Sequence, residues 1–178
     1  MPELVRLMLF TVISTGTRVS ELLALKWGRV DVVRGVVRVV ERYYRGDTGE
    51  PKSESSKREL SLGILTRVYA QIQPASAGDD TYVFEADGEP LDGRAILRNV
   101  IRPAAKRLGF HFEGRGWHSF RRQNLTLIQE EGASSFEAMV QAGHTRPGMT
   151  SEYTVVRSDR REQSVRRLQK RIFGDLVK

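Results

Sequence analysis

The run "VDVVRGVVRVVERYY", from Val30 to Tyr44, narrows the fold more than any other segment. It is rich in β-branched residues, which favour extended backbone and pack well on a pleated surface. Arg34-Gly35 interrupts it, and a break of that kind between two apolar runs reads as a hairpin turn. A polar stretch, "RGDTGEPKSESSKR", follows, and then "ELSL" from Glu59 to Leu62 reads as a third strand. Residues 30–62 are therefore expected to form a small antiparallel sheet, about three-stranded, with an exposed, lysine-bearing turn.

The segments on either side have the helical period. Residues 3–13 are apolar all round, as in a buried helix, and "STGT" breaks them at Gly16. "RVSELLALKW" reads as a second helix, with Thr17 as its N-cap and Arg18 in its first turn. "GILTRVYAQI" predicts a helix that ends before Pro74. "TYVFE" predicts a short strand or extended piece. "DGRAILRNVIRPAAKRLG" predicts a helix that Pro103 kinks or breaks. "SFRRQNLTLIQEEG" and "SFEAMVQAG" predict two more, each stopped by glycine, and "SVRRLQKRIFG" a terminal one. The expected class is α+β, one mostly helical domain over residues 1–178 carrying a small sheet.

Composition limits the chemistry. The 178 residues include no cysteine and three histidines, so disulfides, thiolate zinc sites and histidine-rich metal sites fall away. No metal or other cofactor is expected. The apolar N-terminal run carries Glu3 and Arg6 and is too short to span a membrane, so a cytoplasmic location is the expectation. The net charge of +7 favours an anionic partner such as DNA or RNA. From Arg157 to Arg171, seven of fifteen residues are basic and two acidic.

Several polar residues sit where the helical pattern does not ask for them. Arg18 opens an apolar helix, where a cation opposes the helix dipole. With an anion beside it, the same position becomes a phosphate site, because a helix N-terminus and a guanidinium attract the same charge. His118 and Arg121 lie three apart in "GWHSFRRQN", on one face of a helix or at its entry. Lys52 sits in the polar turn. His144 follows Gly143, where a helix should stop, and Tyr153 follows in "MTSEYT".

Taken together, these boxes resemble the catalytic domain of the tyrosine recombinase/integrase family. "TGTRVSELLALKW" is similar to its first arginine box, with Glu21 at the acidic position. "PKSESSKRELSL" resembles the strand-turn-strand that carries the family's lysine. "HSFRR" resembles the H-x-L-R box, with Phe120 in place of leucine and Arg122 in place of a frequent histidine. "AGHTRPGMTSEYT" resembles the closing box, with Ala142 where leucine often stands. The resemblance runs from about Leu4 to about Val156. It implies a catalytic set of Arg18, Lys52, His118, Arg121, His144 and Tyr153, with Tyr153 as nucleophile. Lys52 is preferred over Lys57 because it directly follows the turn's proline. Glu21 would orient Arg18 or His118.

The implied activity is cleavage and rejoining of DNA strands through a 3′-phosphotyrosine, without a metal. A type IB topoisomerase-like enzyme and a catalytically inactive DNA-binding domain are the alternatives. Double-stranded DNA is the implied partner, with Arg94, Arg98, Arg102, Lys106, Arg107, Arg115 and Arg122 flanking its phosphates. The tail from Arg157 would contact DNA or dock on a neighbouring protomer, as in a homo-tetramer on DNA. The helical domain that clamps the far side of DNA in family members is expected to be absent, since the arginine box begins at residue 18. Whether Tyr153 acts within its own protomer stays open.

Overall fold

The computed structural model describes residues 1–51, 56–110, 114 and 116–144. Lys52, Arg115, Tyr153 and the basic tail lie outside the described residues.

Helix α1, Glu3–Thr15, buries Val5, Leu7, Met8, Thr11, Val12 and Thr15. Gly16 ends it in the left-handed region, φ 69°, with its N–H on the Val12 carbonyl at 2.9 Å. Helix α2 spans Val19–Leu23, one residue later than its sequence suggests. The Thr17 hydroxyl hydrogen-bonds Thr15 and does not cap α2. Arg18, extended at φ −70° and ψ 145°, takes the N-cap position, and its backbone N–H donates to the Glu21 carboxylate at 2.9 Å. The helix also stops earlier than "ALKW" suggests. Trp27 N–H donates to the Thr81 carbonyl and Val83 N–H to the Leu25 carbonyl, at 2.9 and 2.8 Å. Backbone pairing across the molecule outcompetes the last helical turn. It also accounts for the extended "TYVFE", in which Tyr82 bridges Lys26.

The expected sheet forms from β1, Val30–Asp31, β2, Val36–Val39, and β5, Arg58–Ser61, antiparallel in the order β1-β2-β5. The register pairs Val37 with Leu60 and Val39 with Arg58. Side-chain alternation then sends Val37, Val39 and Leu60 into the core, while Glu59 is exposed. Gly35, at φ 67°, completes the tight turn after the Asp31 carboxylate has accepted the N–H groups of Val33 and Arg34.

The polar stretch holds more structure than its composition suggests. β3, Arg42–Tyr44, and β4, Asp47–Gly49, form a second hairpin. Arg45 and Gly46 both have positive φ, 55° and 83°, the two-residue turn geometry whose twist matches the flanking strands. Arginine at the first of these positions hides the signal.

Helix α3 is Leu65–Ile72. A two-residue hairpin, β6, Glu85–Ala86, with β7, Glu89–Pro90, leads into α4, Gly93–Ile96, capped by Asp92. A π turn, Leu97–Ile101, joins α4 to α5, Arg102–Arg107. Pro103 neither breaks nor simply kinks this stretch. It has no N–H for the ladder, and the turn before it widens so that Arg102 N–H reaches the Leu97 carbonyl. Helices α6, Trp117–Glu130, and α7, Ser135–Ala142, follow, with a reciprocal Ser134–Glu137 capping box.

The main core joins α1, α2, the sheet and α3. Tyr69 stands at its centre, edge-on to both Trp27 and Phe84, with its hydroxyl on Thr11 at 2.8 Å. A smaller cluster of Leu125, Ala138 and Ala142 holds α6 to α7. Among the described residues no helix is long and apolar enough to cross a membrane.

Gly16 offers a direct test of this packing. A Cβ there would lie 2.4 Å from Asn124 Oδ1, on a backbone already in the left-handed region. Gly16→Ala is expected to cost about 2 kcal/mol or more, lowering the thermal midpoint by roughly 4–8 °C. Gly63→Ala, at φ 53° with open space around it, carries only the backbone penalty and should lose about half as much. Thermal melts of the two variants compare them directly.

Candidate active site

Five of the side chains singled out in the sequence, Arg18, Glu21, His118, Arg121 and His144, stand at the ends of helices. Arg18 precedes α2, Glu21 sits in its first turn, and His118 and Arg121 sit in the first turns of α6. His144 follows the left-handed Gly143 that ends α7. Arg18, Glu21, His118, Arg121 and Gly143 line one cleft of about 930 Å³. Arg42, Tyr44, Glu50 and Pro51, from the second hairpin and its exit, complete the rim.

Arg121 is buried. Its Nη1 donates to the Gly16 carbonyl, and its Nη2 donates to the Ala142 carbonyl and lies 3.0 Å from His144 Nε2. An arginine can only donate, so His144 Nε2 is the acceptor and carries no proton. Burial pushes the His144 imidazole down to about 4, and the guanidiniums of Arg121, Arg18 and Arg58 push the same way against Glu21. His118, more exposed, is also lowered, first by desolvation and then by Arg121, Arg18 and Arg122.

Glu21 orients Arg18, one of the two roles expected of it. Arg18 Nη1 donates to Glu21 Oε1 at 2.7 Å. Burial alone would raise the Glu21 carboxyl, but Arg58 and then Arg18 outweigh it and hold the carboxyl below its ordinary value.

Arg58 was not among the residues expected here. It lies on β5, two positions before the buried Leu60 and so on the same, inward face. That parity was the available signal, and a basic residue next to Lys57 in a polar turn hid it. Its Nη2 meets Glu21 Oε2 at 2.9 Å, and the two side chains are 6% and 3% exposed.

Of the turn lysines, Lys57 pairs with Glu50 at 3.5 Å. Arg94 reaches the Tyr44 hydroxyl at 2.9 Å and lies over its ring. Arg98, Arg102, Lys106 and Arg107 are exposed along α4–α5, and Arg122 is exposed beside His118.

The residues from 3 to 160 match the Phage integrase family. The chain belongs to that family. It is 28% identical over 148 residues to the integrase of Mycobacterium phage D29, covering 79% of this chain and 37% of that protein. Over 147 residues it is 24% identical to a shufflon-specific DNA recombinase of Escherichia coli, covering 82% and 33%. The chain thus spans about a third of the length of these relatives. Among solved structures, the Tn1549 transposon integrase in complex with circular intermediate DNA superposes with a TM-score of 0.70 at 18% identity, covering 91% of this chain and 59% of that one. XerA recombinase gives 0.67 at 20%, covering 93% and 55%. The fold is that of a tyrosine recombinase catalytic domain, α+β with a small antiparallel sheet.

Glu21→Gln is expected to destabilise the integrase fold by about 3 kcal/mol, because it leaves two arginines against a neutral amide. The carboxyl is lowered in the folded state, so its stabilisation is complete above the ordinary value and is lost as pH falls through the folded one. The wild-type advantage over Glu21→Gln should therefore shrink on acidification below pH 4.5 in denaturant titrations. His144 adds a separate loss: the unfolded imidazole takes a proton near 6.5 and the folded one near 4, so stability declines across that window.

Proposed function

We propose that this chain cleaves and rejoins double-stranded DNA through a covalent 3′-phosphotyrosine on Tyr153. The observation that supports this most is the convergence of Arg18, His118 and Arg121 on one cleft, with His144 hydrogen-bonded to Arg121. The two guanidiniums in that set suit a phosphodiester whose charge grows during attack.

The Tyr153 oxygen attacks phosphorus, and the bond to the 5′-oxygen breaks. A phenol has a pKa of about 10, so roughly one in a thousand is ionised at pH 7. Activation is therefore required. His118 takes the phenolic proton, and its lowered pKa keeps it a neutral acceptor at pH 7. Arg18 and Arg121 neutralise the charge on the non-bridging oxygens. His144 donates to the same oxygens through its protonated Nδ1 and fixes the phosphate. Lys52 hands a proton to the leaving 5′-oxygen. The phosphotyrosine retains the bond energy, so another 5′-hydroxyl can reverse the step without ATP. Arg94, Arg98, Arg102, Lys106, Arg107, Arg115 and Arg122 hold the DNA backbone.

A nicked DNA substrate that loses its leaving strand after cleavage tests this. Wild type should give a protein–DNA band that survives denaturant, and Tyr153→Phe should give none. Arg121→Ala should slow its appearance by about a hundredfold or more. A band from Tyr153→Phe would rule out the assigned nucleophile. DNA binding with no wild-type adduct would identify an inactive DNA-binding domain. Relaxation of supercoiled plasmid without a preferred site would identify a topoisomerase.

A further inference from the structure

Arg58 makes contacts that the reaction above does not use. It sits on β5, and four of its contacts go to three separate segments. Nη2 donates to Glu21 Oε2 at 2.9 Å, and Nη1 lies 3.4 Å from Glu21 Oε1. Nη1 also donates to the Ser56 carbonyl at 2.8 Å. Nε donates to the Gln141 carbonyl at 2.9 Å, in the last turn of α7.

Each of these contacts ends on something the site needs held. The Glu21 carboxylate binds Arg58 on one side. On the other it receives the backbone N–H and the guanidinium of Arg18. Its orientation therefore sets that of Arg18. Gln141 immediately precedes Ala142, whose carbonyl receives Arg121, and Gly143, which turns the chain to His144. Ser56 lines the same cleft, two residues before Arg58. Rigid fork geometry suits arginine for this role, since its donors leave in fixed directions from one plane.

We infer that Arg58 is a positioning residue. It locks Glu21, and through it Arg18, to the end of α7 and to Ser56, so that both sides of the cleft meet one phosphate together. The inference rests on the proposed strand cleavage. Arg58 touches no substrate. Its side chain is 6% exposed, against 28% for Arg18, and it does not line the cleft.

The test measures adduct formation on the nicked substrate at increasing DNA concentration, for wild type, Arg58→Ala and Arg58→Lys. Arg58→Ala should lower the rate at saturating DNA by about a hundredfold, the scale of one misplaced transition-state donor. The DNA concentration for half-maximal rate should move less than about threefold, because phosphate contacts elsewhere set affinity. Arg58→Lys keeps the charge without the fork and should recover about a tenth of the wild-type rate. A second removal should add little. Glu21→Gln in the Arg58→Ala background should cost less than about threefold more, since both changes release the same arginine.

A reacting wild type with Arg58→Ala at the same saturated rate overturns the inference alone. So does a loss that falls entirely on DNA affinity, or a double variant whose losses multiply. If Arg58→Ala does not fold, Arg58→Lys carries the test, and a wild-type rate in it overturns the inference. A wild type that forms no adduct overturns the cleavage reading and this role with it.

Discussion

The C-terminal end of α1 organises everything around it. A helix leaves its last carbonyls without partners, and burying them bare costs more than most interactions return. Here α6 and α7 supply the donors. Asn124 Nδ2 binds the Ile13 and Ser14 carbonyls, Gln141 Nε2 binds Thr15, and Arg121 binds Gly16. Three side chains from two other helices thereby become obligatory. Two residues beyond that end stands Arg18. The same bonds that satisfy α1 therefore fix the distance between the arginine of one box and the histidine and arginine of another, more than a hundred residues away.

Charge accounts for the rest of the cleft. Two guanidiniums, from Arg18 and Arg58, flank a single carboxylate, a third, from Arg121, lies against His144, and that histidine is held neutral. The site is left with an excess of positive charge in partly desolvated surroundings. Cations arranged in advance cost no reorganisation when an anion arrives, and low polarity strengthens what they do. Glu21 does not cancel this charge. It trades one attraction for directional control.

Much of this was legible in the sequence. Helical periods, glycine stops and the valine-rich hairpin placed most elements, and the order of the boxes pointed to the cleft. What escaped has identifiable causes. The α2 N-cap moved because Thr17 was already engaged by Thr15. The end of α2 yielded to pairing with residues 81–83, a contact no local window contains. The β3–β4 hairpin was hidden by an arginine in left-handed backbone. Arg58 was masked by its place beside Lys57 in a polar stretch, although strand parity with Leu60 marked it as inward. Lys52 and Tyr153 lie outside the described residues, so their roles remain with the proposed chemistry.

The π turn before Pro103 has a geometric effect of its own. In a regular α-helix, residues four apart advance about 40° around the axis, so Arg94, Arg98, Arg102 and Lys106 would wind well away from a line. A wider turn holds more residues per revolution and sets the later ones back. The step from Arg98 to Arg102 crosses that turn, which returns much of the drift. The four cations thus wind less far around α4–α5 than a regular helix would carry them, and stay closer to one face.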